Sequence, residues 1–181
     1  LKDATKALAK AREALTLAES IGDRQAICES RLISAEAHLL TQDLDESAKE
    51  LQRVTADTTD SATDLGFTGE THRLLGMLGM LRSDEAAAAQ HFGSSVSIFD
   101  MLGDRYRSAR AHFELGKAYE TTVPSRAAEH LARAVNTFRE LGARLDLALA
   151  EESLANLDRT QPERNQEQSA VTQLLTLRLA E

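Results

Sequence analysis

The chain has 181 residues, 42% of them apolar and 28% charged, with a net charge of −8 and 4% aromatic residues. The acidic balance disfavours a phosphate backbone as partner, which demands a basic face, so no nucleic-acid binding is expected. No apolar run approaches the roughly 18–20 residues of a membrane span, which predicts a soluble chain with no membrane partner, and the single cysteine, Cys28, permits no intrachain disulfide.

Residues 3–21 carry Ala4, Ala7, Leu8, Ala11, Leu15, Ala18 and Ile21 on one face, the spacing of an amphipathic helix. A second helix is predicted over 24–41, through Ile27, Leu32, Ala35 and Leu39, ending at Gln42-Asp43. Cys28, beside Ile27, reads there as a small half-buried apolar residue, not a reactive thiol. Residues 44–58 carry Leu44, Ala48, Leu51 and Val54, and the polar stretch 55–61 reads as a solvated turn.

The pattern over 62–82 is unusual in holding Gly66, Gly69, Gly76 and Gly79. An interior glycine costs about 1 kcal/mol relative to alanine, so this helix is intrinsically weak. Gly76, Gly69 and Gly79 are expected at close helix contacts, and Gly66 is expected to mark a late helix start; a hinge is the functional alternative. Residues 84–101 follow, with Ala88, Phe92, Val96 and Phe99 and then Leu102. Helices are predicted over 104–121 and over 125–141, the latter entered at Ser125 after Pro124. Residues 143–158 form another through Leu147, Ala150, Leu154 and Leu157. Residues 159–168 are polar and partly loop, and 169–180 gives a ninth helix, apolar on more than one face. The chain opens inside one helical pattern, without Met or a signal-peptide pattern, and closes inside another. It is therefore expected to be a piece of a longer protein.

A repeat underlies these elements. Markers at 22, 63, 103 and 142 are spaced by 41, 40 and 39 residues, three of them glycine and the other Thr63. Thirteen residues after each comes a small residue: Ala35, Gly76, Gly116 and Ala155. Fifteen residues before each stands an alanine: Ala7, Ala48, Ala88 and Ala127. Glycine closes a helix because it enters the left-handed region without a Cβ clash. The aspartate that follows suits the cap of the next helix, and the small interior residues let two backbones approach. A near-constant period of this length predicts an all-α fold, a right-handed α-solenoid of antiparallel helix pairs, over the whole of 1–181 as one domain.

The stretch His112-Phe113-Glu114-Leu115-Gly116-Lys117-Ala118-Tyr119, followed by Ala127, Leu131 and Ala134, resembles the tetratricopeptide repeat. Leu115, Gly116, Tyr119, Ala127 and Leu131 match that pattern in kind, with His112 in place of its Trp. Leu75, Gly76, Ala88 and Phe92 form a second copy. The period near 40 and the missing terminal Pro depart from the 34-residue form. They are similar to the longer repeats of bacterial multidomain signalling and transcription regulators. The resemblance implies that the first helix of each pair lines a concave groove. Mapped by helix period, the groove residues are Glu29, Leu32, Glu36 and Leu39, then Glu70, Arg73, Met77 and Met80, then Arg110, Phe113, Lys117 and Glu120. The carboxylate clamp of some family members is absent, since Leu32 and Glu36 stand where Lys and Asn would be needed.

No catalytic pattern stands out. There is no phosphate-cradling glycine loop with its Lys-Ser/Thr, no Gly-x-Ser-x-Gly elbow and no His-Glu-x-x-His pair. His72 and His112 hold equivalent places in adjacent repeats and are expected near each other, filling the Trp place. No enzyme activity, cofactor or metal is therefore expected. The expected function is a cytoplasmic protein–protein interaction module holding a peptide or helix, with Arg73, Arg110 and Lys117 facing an acidic segment. Sensing of a small ligand or signalling peptide is the alternative, and self-association into a homodimer through 169–180 is a third. For the groove cations, the competing reading is that they only offset Glu29, Glu36, Glu70 and Glu120.

Overall fold

The computed structural model of the chain describes residues 2–58 and 62–159. Among the described residues there are eight helices and no strand. They are α1 (Lys2–Ile21), α2 (Arg24–Leu40), α3 (Leu44–Asp57), α4 (Ala62–Leu81), α5 (Glu85–Leu102), α6 (Arg105–Tyr119), α7 (Pro124–Leu141) and α8 (144–159). Each begins and ends within two residues of its expected bounds. The expected ninth helix, 169–180, lies outside the described residues. Two local expectations need correction. Helix α4 starts at Ala62, so Gly66 lies inside it and marks no late start. Helix α7 starts at Pro124, one residue before Ser125, because proline suits the first helical position, where no N–H partner is needed.

The boundaries have a common chemistry. Asp23, Asp84 and Asp104 each accept a hydrogen bond from the backbone N–H three residues on, at 3.0, 3.0 and 2.9 Å. Each thereby satisfies one of the orphan donors of a helix start. At the other ends, Gly103 and Gly142 sit at φ +67° and +70°, and the next N–H reaches back to Phe99 O and Phe138 O.

Sequence-adjacent helices pack against each other in antiparallel register. Gly69, Gly76 and Gly79 of α4 face Phe99, Phe92 and Ala88 of α5, numbers falling as the first set rises. His112 and Gly116 of α6 face His130 and Ala127 of α7 in the same sense. A Cβ on Gly76 would lie 2.5 Å from the Phe92 ring, and one on Gly116 would lie 2.8 Å from Leu131 Cγ. Neither position has room for a side chain, which gives the repeat's small residues their physical cause.

The core is a string of clusters along the chain. Cys28, Leu51, Val54 and Leu74 are fully buried among α2, α3 and α4, Phe92 lies between α4, α5 and α6, and Leu131, Phe138 and Ala150 between α6, α7 and α8. Burying each such large side chain stabilises by about 1.5–3 kcal/mol. Cys28 is fully buried, not half-buried as expected, and burial pushes its thiol pKa up, which suits an inert packing residue.

The even-numbered helices also touch one another. Helix α2 meets α4, and α4 meets α6, whereas no such contact joins α3 to α5 or α5 to α7 among the described residues. The chain thus has one tighter row, α2–α4–α6, and one more open row.

Candidate functional site

The helices of the tighter row carry eleven of the twelve residues that the helix period assigned to the groove, and Glu120 follows as the C-cap of α6. Two cavities open along it. The first, of about 460 Å³, is walled by Glu29, Leu32 and Glu36 of α2 and by Arg107 and Arg110 of α6, over a floor of Gly66, Phe67 and Glu70 of α4. The second, of about 250 Å³, is mainly apolar and is lined by Leu39 and Leu40, by Met77, Met80 and Leu81, by Phe92, and by Glu114 and Lys117 of α6. Glu70 and Met77 are seven residues apart on one helix, so the cavities stand about 10 Å apart along α4. Leu40, Met80 and Leu81 leave the second cavity open to solvent.

Arg73 separates the cavities and belongs to neither. It is only 1% exposed. It donates Nε and Nη2 to Glu70 Oε1 at 2.9 and 2.6 Å, Nη2 to Glu36 Oε1 at 2.8 Å, and Nη1 to Met77 Sδ at 3.0 Å. Burial by itself would lower the Arg73 pKa. The Glu70 and Glu36 carboxylates outweigh burial and raise it above its ordinary value. For Glu36 the balance is similar: burial would raise its pKa, but Arg73 and then Arg110 hold it below the usual range. Arg110 Nη2 reaches the same Glu36 oxygen at 3.3 Å. Arg73 is therefore spent inside the fold, and Arg110 is partly spent.

The remaining residues differ in setting. Phe113 turns toward the α7–α8 side of the core and lies under Lys117, whose Nζ is 5.5 Å from the ring centroid. Lys117 is exposed, and Glu120 caps the end of α6. Sequence reasoning missed Gln25, Phe67 and Arg107 in the first cavity. They sit three or four residues before Glu29, Glu70 and Arg110, so carrying each helix face back by one turn would have found them.

The histidines are arranged differently from expectation. Each pairs with a histidine on the helix that follows: His72 Nδ1 is 3.0 Å from His91 Nδ1, and His112 Nδ1 is 2.8 Å from His130 Nδ1. A hydrogen bond at that separation requires one Nδ1 of the pair to carry the proton and the other to accept. Burial, then the neighbouring His91, pushes His72 down, and burial, then His130, pushes His112 down to about 4. Burial, then Arg133, lowers His130. The spacing of 39 residues from His91 to His130 was the signal for this arrangement. Among the described residues, no three His, Cys, Asp or Glu side chains converge as metal ligands.

No protein-family model matches the sequence, and no curated protein matches it. Among the described residues, no helix is long and apolar enough to cross a membrane. The fold and this face define an all-helical chain with a row of three helices bearing one charged and one apolar cavity.

Proposed function

We propose that the chain is a protein–protein interaction module, a right-handed tetratricopeptide-like solenoid whose α2–α4–α6 row forms a concave groove for a peptide or helix. The observation that carries this reading is the in-line placement of the two cavities on the one row whose helices touch. Closer approach on that side than on the other is what curvature toward it requires. An amphipathic segment fits such a surface by seating an apolar residue against Met77 and Met80, since methionine adapts to varied shapes. Lys117 at the cavity edge favours an acidic residue beside that anchor. The module serves cytoplasmic signalling or transcription regulation and carries no catalytic group of its own.

The test uses exposed residues and avoids Arg73, whose replacement would strand Glu36 and Glu70 in the core. Met80→Asp combined with Lys117→Glu should keep the helical circular dichroism of the parent chain. It should also lose the partners that the parent recovers by pull-down from native lysate. Equal recovery by both chains would rule the groove out as the docking surface.

A further inference from the structure

The first cavity has three features that packing does not explain. First, Glu70 Oε2 is buried and accepts no hydrogen bond from any described residue, while its other oxygen holds Arg73. A buried carboxylate oxygen without a donor is costly, and among the described residues Glu70 Oε2 shares that state with Glu50 Oε2. Second, the cavity has opposed charges on its walls. Glu29 on α2 and Glu70 on the floor give a carboxylate side, and Arg107 with Arg110 on α6 gives a guanidinium side, with Arg110 also on Glu36 at 3.3 Å and Arg107 on Asp104 at 3.5 Å. Third, Gly66 forms part of the floor. The other three glycines of α4 are packed too tightly for a side chain, with Cβ positions 2.5–3.1 Å from α5. A Cβ on Gly66 would meet only Arg107 Nη1, at 4.0 Å. Helix packing therefore does not require glycine here. Its effect is to deepen the cavity beneath Arg107.

We propose that this cavity binds a small zwitterion with an apolar side chain, an α-amino acid or a dipeptide. Its ammonium lies between Glu29 and the Glu70 carboxylate. Its carboxylate meets Arg107 and Arg110, whose planar forks suit a carboxylate. Its side chain lies on Leu32, Ile33 and Phe67. The volume of about 460 Å³ is in the range of small-molecule sites, and the lining sets Leu32, Ile33 and Phe67 among charged groups of both signs. Both charges are needed: a cation alone would face the two arginines, and an anion alone would face the glutamates.

The site is separate from the apolar cavity invoked for a protein partner, and the experiment keeps the two apart. The full chain is titrated calorimetrically with leucine, phenylalanine and leucyl-leucine, then with N-acetyl and C-amide forms of whichever binds. Saturable binding is expected, weakened at least tenfold by either block. Gly66→Leu fills the cavity and should abolish binding while the thermal midpoint stays level or rises, since the position has room. Glu70→Gln should erase the preference for a free amine. Met80→Asp with Lys117→Glu should leave the titration unchanged. No saturation by any of the three zwitterions at millimolar concentration would overturn the proposal. So would blocked forms binding as well as free ones, or binding that survives Gly66→Leu.

Discussion

The α4–α5 and α6–α7 pairs occupy equivalent places in the repeat, yet they bring their helices together by different means. Between α4 and α5, Gly69, Gly76 and Gly79 make way for Phe99, Phe92 and the Ala88 backbone. Between α6 and α7, Gly116 alone makes way, for Leu131. The three glycines of the first pair, with Gly66, cost α4 about 4 kcal/mol of helix propensity. The buried phenylalanine rings offset that cost through the area they remove from water. Helix α4 is thus a weak helix in isolation, held by its partner, while α6 has a sequence that favours a helix on its own. The same small-against-large rule can be met with a little close approach or a great deal, and the greater closeness leaves less tolerance.

That difference in tolerance has measurable consequences. Gly76→Leu drives a side chain into the Phe92 ring, where even a Cβ would stand at 2.5 Å. It should lower stability by about 3 kcal/mol, at the top of the usual overpacking range. A denaturant midpoint unchanged from the parent would show that α4 and α5 are not in this register. Gly116→Leu meets Leu131, a flexible side chain, and the Ala127 carbonyl oxygen at 3.2 Å. The expected loss is about 2 kcal/mol, smaller than at Gly76. Equal or reversed effects in urea titration would mean that ring rigidity is not what separates the two pairs.

Within any one pH unit, acid is expected to act less than either substitution. His112 is held at about 4 in the folded chain against an ordinary 6.5, so below 6.5 the unfolded chain binds the extra proton. Stability is therefore complete above pH 6.5 and falls as pH drops toward 4, by up to about 1.4 kcal/mol per pH unit for this one group. His72 is also lowered, so the α4–α5 pair adds a contribution of the same sign. Replacing His112 with Phe should flatten the slope of midpoint against pH over that window. A slope that persists in this variant would place the acid sensitivity elsewhere.

The helices were legible because their ends are chemical signals: Gly103 and Gly142 in the left-handed region, with Asp23, Asp84 and Asp104 as caps. Gly76 and Gly116 were legible as packing positions because the period placed them together. The face of the tighter row was legible for the same reason, since helix geometry decides which residues share a side. What the pattern could not supply was the reach of long side chains. Arg73 reads as an outward cation by period, but its guanidinium crosses to α2 and closes on Glu36 and Glu70. The histidine partners were hidden in a similar way, because they join two helices whose relative rotation the period does not fix.

Glu36 also bears on how the molecule comes apart. Among the described residues of α1 to α7, backbone contacts join only helices one or two apart in chain order, an arrangement in which each end can open without the other. The Glu36 Oε1 atom runs against that tendency, for it takes an N–H from Arg73 on α4 and another from Arg110 on α6, 37 and 74 residues away. Peeling α2 from one end, or α6 from the other, removes a partner from a charge cluster in which Arg73 is almost wholly buried. A single carboxylate thereby bonds to two helices beyond its own, and opposes the opening of the three in turn.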